Sequence, residues 1–451
     1  MINLLEASDL DSILSRLTSL EVSNLDLLNR IVALEGEVAP PPPPPPTTGV
    51  FEVGEGKQYL TLASVPWESL KPGDEVKLYY KNTPYKEKLL LSQSGTEALP
   101  IKFTGILGPN NEKPIIDGTN ATTRANQPYV SISHQDRSVV QVSYRQGQSY
   151  GTKPKNIVIS NIEFSGGYRE NDTSPRTYVA ADGSTRSYSF NATGLWIERG
   201  ENITVQDCVF TNNGNGFFVS SGDEEALVSR NIKFLNCHSY DNGNVGRDRE
   251  HNAYCAALGM IYENCTIGNL RAGAIGSGLK DRSAGTIIKG CNLQGGAIFL
   301  DLVDAEDSVH LVALDPLYRD TLVENCIFTN IHPDGATIVH YGGDTGVFSN
   351  YRKGKLTFRN NNLSIKADQA QRWRTILFRV DTNDESVDME NCNIVVTPSI
   401  VGQPKTNLCL MQANGILNIL SGNFVTTGWA PFRDGVTITG TVNNASSITN
   451  T

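Results

Sequence analysis

Four short segments of the chain carry closely spaced acidic, basic and aromatic side chains of the kinds that do acid–base chemistry. Each segment contributes two candidates, in chain order His251 and Tyr254, Lys280 and Arg282, Asp301 and Asp304, and His340 and Tyr341. Acid–base hydrolysis needs two carboxyl groups, and Asp301 with Asp304, or with a carboxylate from another segment, would supply them. β-Elimination needs a base, such as Lys280 or His251, and a cation such as Arg282 to neutralise an acidic substrate group. The residue types leave both reactions open.

Five of these side chains are predicted to be catalytic and three to bind the substrate. The catalytic candidates are His251, Lys280, Arg282, Asp301 and Asp304. The substrate-binding candidates are Tyr254, His340 and Tyr341. The alternative interpretation is a surface ladder of ion pairs, because Lys280, Asp281 and Arg282 alternate in sign and structural networks also perturb pKa values.

A repeated eight-residue pattern surrounds these segments and must position them. Apolar residues alternate with other residues, followed in most copies by Asn and then Cys, at intervals of 26 to 46 residues. The equivalent positions are Ile162, Cys208, Cys237, Cys265, Cys291, Cys326, Asn361, Cys392 and Gly422. The period of two, with Asn and Gly on the flanks, predicts strands and turns and excludes a helical solenoid.

A second apolar strand is predicted after most copies of the repeat. Its segments read GFFVS, NAYCA, GAIGS, GAIFL, ATIVH, RTILF and TNLCL. Stacking such units gives an all-β parallel β-helix, in which equivalent residues of successive coils lie roughly 4.8 Å apart. The candidate residues of consecutive coils would then gather at corresponding strand ends.

Two columns of identical residues follow from this stacking. The six cysteines of the repeat are expected to be reduced, buried and structural. The residues before the repeat position are Asp207, Asn236, Asn264, Asn325, Asn360 and Asn391, and we expect their side chains to bond the backbone of neighbouring coils.

The first 48 residues differ from the rest. Apolar residues recur at steps of three and four across residues 2–38, with Asn24 at one a position, which predicts an α-helical coiled coil over 1–39 and self-association. Seven prolines, Pro40 to Pro46, predict an extended linker over 40–48. The β-helix domain is predicted to cover 49–451.

Composition excludes several classes of protein. The net charge is −10 and no Lys/Arg-rich run occurs, so a nucleic-acid partner is not expected. No apolar run is long enough for a membrane span, and MINLLEASDLDSIL does not read as a signal peptide. No nucleotide or metal motif is present, so we expect no cofactor.

The run LKPGDEVKLYY, followed by PYKEKLLLSQSGTEALPIKFTG and KPIIDG, resembles the opening coils of pectate-lyase-like right-handed β-helix proteins. With the coiled coil and the proline linker, the arrangement is similar to bacteriophage tail spikes and tail-fibre depolymerases. This resemblance implies a homotrimer in the virion tail that contacts other tail proteins through its N-terminus. It also implies recognition of the host through a bacterial surface polysaccharide (capsule, exopolysaccharide or O-antigen), which the protein would bind and cleave as a hydrolase or a lyase. The chain lacks an obvious β-rich C-terminal trimerisation domain, which the coiled coil would replace.

The alternative function is a non-enzymatic carbohydrate-binding adhesin or structural fibre of the same fold, because fold does not determine function. Aromatic side chains would support either function by stacking on sugar rings. The candidates are Tyr168, Tyr178, Tyr188, Tyr351 and Trp373, which could equally form contacts between subunits.

Overall fold

The computed structural model describes residues 11, 14–22, 48–171, 173, 175–330, 337–366, 375–397, 408–425, 429–444 and 448–450. Two compact units divide the chain, Met1–Thr47 and Thr48–Thr451. In the first unit, residues 14–22 are helical and expose the heptad residues Leu17 and Leu20. The rest of the predicted coiled coil, with Asn24, and the proline linker lie outside the described residues. The coiled coil therefore stays a prediction.

The second unit consists of strands that pair in parallel, one coil after another, in three sheets. In the described residues, sheet 1 has 13 strands: Val50–Val53, Glu75–Tyr79, Ile101–Ile106, Lys155–Ser160, Glu201–Gln206, Arg230–Leu235, Leu258–Glu263, Ala284–Lys289, Asp320–Glu324, Lys355–Arg359, Ser386–Glu390, Ile416–Ile419 and Thr441–Asn443. These strands carry the alternating part of the repeat.

Sheet 2 has 14 strands in the same ranges: Thr185–Ser187, Thr177–Val179, Thr122–Thr123, Glu87–Leu91, Ser138–Val142, Thr193–Ile197, Asn215–Val219, Ala253–Cys255, Ser277–Asp281, Ile298–Leu302, Thr337–Tyr341, Thr375–Val380, Leu408–Met411 and Ala430–Phe432. Its first two strands form an antiparallel pair, and the other pairs are parallel. Sheet 2 contains the predicted second strands. The segment GAIGS is the exception, because the strand there is Ser277–Asp281 and only its first residue belongs to the segment.

Sheet 3 has 11 described strands, most of them short: Ile448–Asn450, Gly422–Phe424, Cys392–Thr397, Asn362–Lys366, Ile327–Asn330, Asn292–Leu293, Thr266–Ile267, His238–Tyr240, Val209–Thr211, Glu163–Ser165 and Ile115–Asp117. Short helices interrupt the coils at Leu62–Ser64, Trp67–Ser69, Ile132–Gln135, Pro316–Arg319 and Phe348–Asn350. No helix in the described ranges combines the length and apolarity that crossing a membrane requires.

The three sheets together form a parallel β-helix-like fold around one hydrophobic core. Strand pairing follows the predicted repeat, with Val205, Phe234, Tyr262 and Ile288 in register and fully buried. The right-handed sense of the coil remains a prediction.

The cysteine column is confirmed. All eight cysteines are buried and free. In the six column members, Sγ approaches a carbonyl oxygen of the preceding coil at 3.3 to 3.8 Å. The thiols thus fill space in the core, and each S–H group is a weak hydrogen-bond donor to the carbonyl oxygen of the preceding coil.

The Asn column has a different basis from the one expected. Every member has left-handed backbone, with φ between 50° and 57°, and Gly290 takes the same position with φ 63°. Asn adopts this conformation more readily than other residues with a Cβ atom. In two pairs the side chains bond each other rather than the backbone: Nδ2 of Asn236 donates to Oδ1 of Asp207 at 3.2 Å, and Nδ2 of Asn391 donates to Oδ1 of Asn360 at 2.9 Å.

Candidate functional site

One column of side chains on sheet 2 faces away from the core and changes character halfway along. In register, it consists of Trp196, Phe218, Tyr254, Lys280, Asp301, His340 and Arg379. Their strand neighbours, such as Leu279 and Leu300, lie in the core, because successive side chains point to opposite faces. Three aromatic residues are therefore followed by four charged ones, with one side chain from each coil.

Asp301 is the centre of the charged half and has no free oxygen. Oδ2 accepts from Ser277 Oγ at 3.0 Å and lies 3.1 Å from Lys280 Nζ, and Oδ1 lies 2.7 Å from His340 Nδ1. Burial alone would raise the pKa of Asp301, but the bond from His340 and the charge of Lys280 outweigh burial and lower it. Asp301 is thus ionised, bonds three neighbouring side chains and has 3% of its surface exposed.

Lys280 is held between two carboxylates. Its Nζ bonds Asp344 as well as Asp301. Burial would lower the pKa of Lys280, but the two carboxylates outweigh burial and raise it. Lys280 therefore stays protonated, which does not suit a general base.

Arg282 joins the aromatic half to the carboxylates. Its Nε donates to the Tyr254 hydroxyl at 3.0 Å. Its Nη2 lies 2.9 Å from Asp344 Oδ1 and 3.1 Å from Glu306 Oε2. Two carboxylates thus share one guanidinium nitrogen, and they are partly exposed, Asp344 by 26% and Glu306 by 51% of their side chains.

Asp304 supports this arrangement from within the fold. It is fully buried and accepts from the Asp344 backbone N–H at 2.9 Å and from the Thr345 hydroxyl. Arg282 Nη1 also bonds its carbonyl oxygen. Asp304 therefore positions the turn that carries Asp344.

His251 is a neutral imidazole that accepts through one nitrogen. Nδ1 accepts the Ser277 backbone N–H at 2.8 Å, so the ring proton is on Nε2. Burial foremost, with the charge of Lys280, lowers the pKa of His251 to about 3. In this tautomer the free nitrogen is a hydrogen-bond donor and not a base.

A groove of about 660 Å³ runs beside the column. Its lining residues are Phe190, Asn191, Asn215, Phe218, Arg247, Asp248, Arg249, Glu250, His251, Tyr254, Lys280, Arg282, Glu306, Asp344 and Thr345. Four of the predicted site residues line it, namely His251, Tyr254, Lys280 and Arg282. Asp301 and Asp304 are buried in contact with Lys280 and Arg282, and His340 is buried against Asp301. None of these three residues lines the groove.

The structure corrects the roles predicted for Tyr341, Asp301 and Asp304. Tyr341 is fully buried in the hydrophobic core and does not reach the groove, because it follows the outward His340 on the same strand. Asp301 and Asp304 are not an accessible pair of carboxyl groups, since internal partners occupy both. The carboxylates that line the groove next to Arg282 are Asp344 and Glu306, which follow the strands Thr337–Tyr341 and Ile298–Leu302.

The predicted aromatic platform is also corrected. Tyr168, Tyr178, Tyr188 and Tyr351 are buried, and Trp373 lies outside the described residues. The groove instead presents Phe218 and Tyr254, whose ring centroids are 5.1 Å apart. The alternation in GFFVS was the signal for Phe218, since the neighbouring Phe217 had to face the core.

The charges of the site balance slightly negative. The cations are Lys280, Arg282, His340 and Arg379, and the carboxylates are Asp301, Asp304, Asp344, Asp381 and Glu306. Among the described residues, no group of three or more His, Cys, Asp or Glu side chains is arranged to hold a metal ion. The groove itself is lined by four cations and four acidic residues, so the site is a mixed-charge groove next to an aromatic surface.

No known protein family and no curated protein matches this sequence. Among solved structures, an alginate lyase from Paenibacillus sp. str. FPU-7 has a TM-score of 0.46 and 12% identity, covering 80% of this chain and 94% of that one. The pectin methylesterase from Aspergillus niger has a TM-score of 0.40 and 11% identity, covering 78% and 87%. ORF18 of Geobacillus virus E2 has a TM-score of 0.32 and 10% identity, covering 85% and 53%. Similarity at this level has no bearing on the reaction.

Proposed function

We propose that this chain is a bacteriophage tail spike whose β-helix binds and hydrolyses a bacterial surface polysaccharide in the groove of sheet 2. The observation that carries the proposal is the change from aromatic to charged residues along one column, at the point where Asp344 and Glu306 share Arg282. A sugar chain needs these two surfaces next to each other, one to hold the rings and one to break the bond.

Phe218 and Tyr254 would hold the sugar. Both are partly exposed and lie in register on adjacent coils. The apolar face of a sugar ring stacks on an aromatic ring while its hydroxyl groups stay hydrated. Tyr254 is also bonded to Arg282, so a sugar on this surface extends toward the carboxylates.

Asp344 and Glu306 would do the chemistry. Burial would raise the pKa of Asp344, but the charges of Lys280 and Arg282 outweigh burial and lower it, so Asp344 is ionised. We assign it as the nucleophile or base, and the more exposed Glu306 as the group that takes up a proton from water and passes it to the leaving oxygen. The bond from the anomeric carbon to that oxygen breaks. The hydroxyl group of a water molecule ends on the anomeric carbon and its proton replaces the one that Glu306 gave to the leaving oxygen, so both carboxylates are regenerated.

The geometry favours hydrolysis over β-elimination. An elimination needs a cation that is free to neutralise the uronate and a base that removes a carbon-bound proton. Lys280 and Arg282 already neutralise carboxylates of the protein, and the free nitrogen of His251 carries a proton. A neutral sugar at the cleaved bond fits this site better than an acidic one.

The proposal extends to the assembly. The heptads of residues 2–38 support self-association. By the resemblance to tail spikes, we take the assembly to be a homotrimer with the N-terminus attached to other tail proteins and the β-helix exposed on the virion tail. In this position the groove would meet capsule, exopolysaccharide or O-antigen during host recognition.

The test is product analysis on a panel of bacterial surface polysaccharides. Hydrolysis yields new reducing ends without ultraviolet absorbance, whereas elimination yields an absorbing unsaturated uronate. Asp344→Asn and Glu306→Gln should each lower kcat by at least a hundredfold and leave polysaccharide binding intact. Asp223→Asn is the matched control, because Asp223 pairs with His310 on the surface and does not line the groove.

Two results would contradict the proposal. Unsaturated products would show that the protein cleaves by elimination and would contradict the proposed hydrolysis. Tight binding without any cleavage by the parent protein would favour the adhesin function.

A further inference from the structure

Arg137 lies at the aromatic end of the column, where the proposed function assigns it no role. Its guanidinium carbon is 4.6 Å from the centroid of Trp196 and 5.9 Å from that of Phe218. The two rings are nearly parallel, with 13° between their planes. The cation thus covers Trp196, which is 3% exposed, and lies next to the accessible ring of Phe218.

The guanidinium of Arg137 has no hydrogen-bond acceptor and no ion-pair partner among the described residues. The acidic groups that act on it from a distance are Glu198 and Asp307. Glu198 is already bonded to Arg199 at 3.3 Å and to Gln141 at 3.0 Å, and Asp307 is exposed. A partly buried arginine with five free N–H donors is unusual, because desolvation of a charge is normally repaid by a partner.

The groove leads to Arg137. Phe218 lines the groove, and Asp307 directly follows Glu306, which lines it as well. Trp196 is two coils from Tyr254, which corresponds to about 10 Å at the usual strand spacing. A sugar chain along the column would reach Arg137 about two units beyond the sugar that stacks on Tyr254.

We propose that Arg137 binds a carboxylate substituent of the polysaccharide, about two units beyond the sugar that stacks on Tyr254. This inference rests on the proposed function and specifies its substrate as an acidic polysaccharide. The planar guanidinium matches a carboxylate through two parallel hydrogen bonds, and its position over the Trp196 ring favours an ordered guanidinium for that contact. The balanced charges around Arg282 place the acidic sugar here rather than at the cleaved bond.

The first test detects the carboxylate without requiring cleavage. The chain has four tryptophans, so 5-fluorotryptophan labelling gives four fluorine signals, and Trp196→Phe assigns the one beneath Arg137. Titration with glucuronate at constant ionic strength should shift this signal to saturation, and glucose should not. The shift should disappear in Arg137→Met. It should persist in the control variant Arg230→Met, because Arg230 lies on a strand of sheet 1 and pairs with Glu225.

Three results would overturn the inference. They are a signal that glucuronate does not move, a shift that survives in Arg137→Met, and a shift produced by glucose 6-phosphate but not by glucuronate. The last of these would identify a phosphate site.

The second test uses a polysaccharide that the protein cleaves. Arg137→Met should raise KM about tenfold with kcat unchanged, and chemical reduction of the carboxyl groups should abolish the difference between parent and variant. An unchanged KM would overturn the inference. Absence of cleavage on the whole panel would instead contradict the proposed function and leave the fluorine result standing.

Discussion

His340 bonds Asp301 across adjacent coils, with 2.7 Å between Nδ1 and Oδ1. Its other nitrogen lies 2.6 Å from Oδ2 of Asp381, which also accepts the Gly343 N–H at 3.2 Å. Burial would lower the pKa of His340, but the two carboxylates outweigh burial and raise it. The residue predicted to bind substrate is thus a buried imidazolium that ties Asp301 to the turn carrying Asp344.

This pair predicts a pH-dependent stability. The pKa of His340 is raised in the folded protein. Its contribution to the free energy of unfolding is therefore complete below the ordinary pKa of histidine and is lost as the pH rises through the raised value. We expect His340→Gln to lower stability by about 3 kcal/mol at mildly acidic pH, and by less at alkaline pH. Thermal unfolding followed across this range measures the difference. His310→Gln, at an exposed histidine, is the control, and a loss that is independent of pH would contradict the imidazolium.

The cysteine column predicts slow thiol chemistry. Burial foremost raises the pKa of Cys237 well above its ordinary value, which suppresses the reactive thiolate. In the native protein a thiol reagent should label few of the eight cysteines, and after denaturation it should label all of them. Rapid labelling of column members in folded protein, or a native disulfide between them, would contradict the packing described here.

The left-handed Asn column predicts an unusual substitution pattern. Asn236 has φ 53°, so Asn236→Ala should cost about 1 to 2 kcal/mol, whereas Asn236→Gly should cost less because glycine adopts this conformation without a Cβ penalty. Urea unfolding compares the two variants. Asn82→Ala, at an exposed asparagine outside the left-handed set, should be nearly neutral. Equal destabilisation by Ala and Gly would show that the side-chain bond to Asp207 matters more than the backbone.

The heptads predict a stable oligomer. Light scattering on the full chain should give the mass of a trimer at micromolar concentration. Asn24→Leu should raise the melting temperature of the helical segment and mix the oligomeric states, because a polar a position specifies register at a cost in stability. A monomeric mass for the parent chain would refute the coiled coil.

The repeat could be recognised in the sequence because each coil has the same structural requirements. Cys237 and Cys265 occupy one inward position, and Asn236 and Asn264 one left-handed turn, so the constraint recurs at regular spacing and shows in the residue types. The same argument identified the strands that carry Tyr254 and Asp301 but misplaced the one that carries Lys280.

The accessible pair of carboxylates could not be read in this way. Asp301 and Asp344 are both acids near strand ends, but Asp301 is enclosed by Lys280 and His340 while Asp344 faces the groove. Their environments depend on turns of variable length and on partners one or two coils away. Local alternation thus determines which side chains leave the core, and only the stacking of coils decides which of them remain open to a substrate.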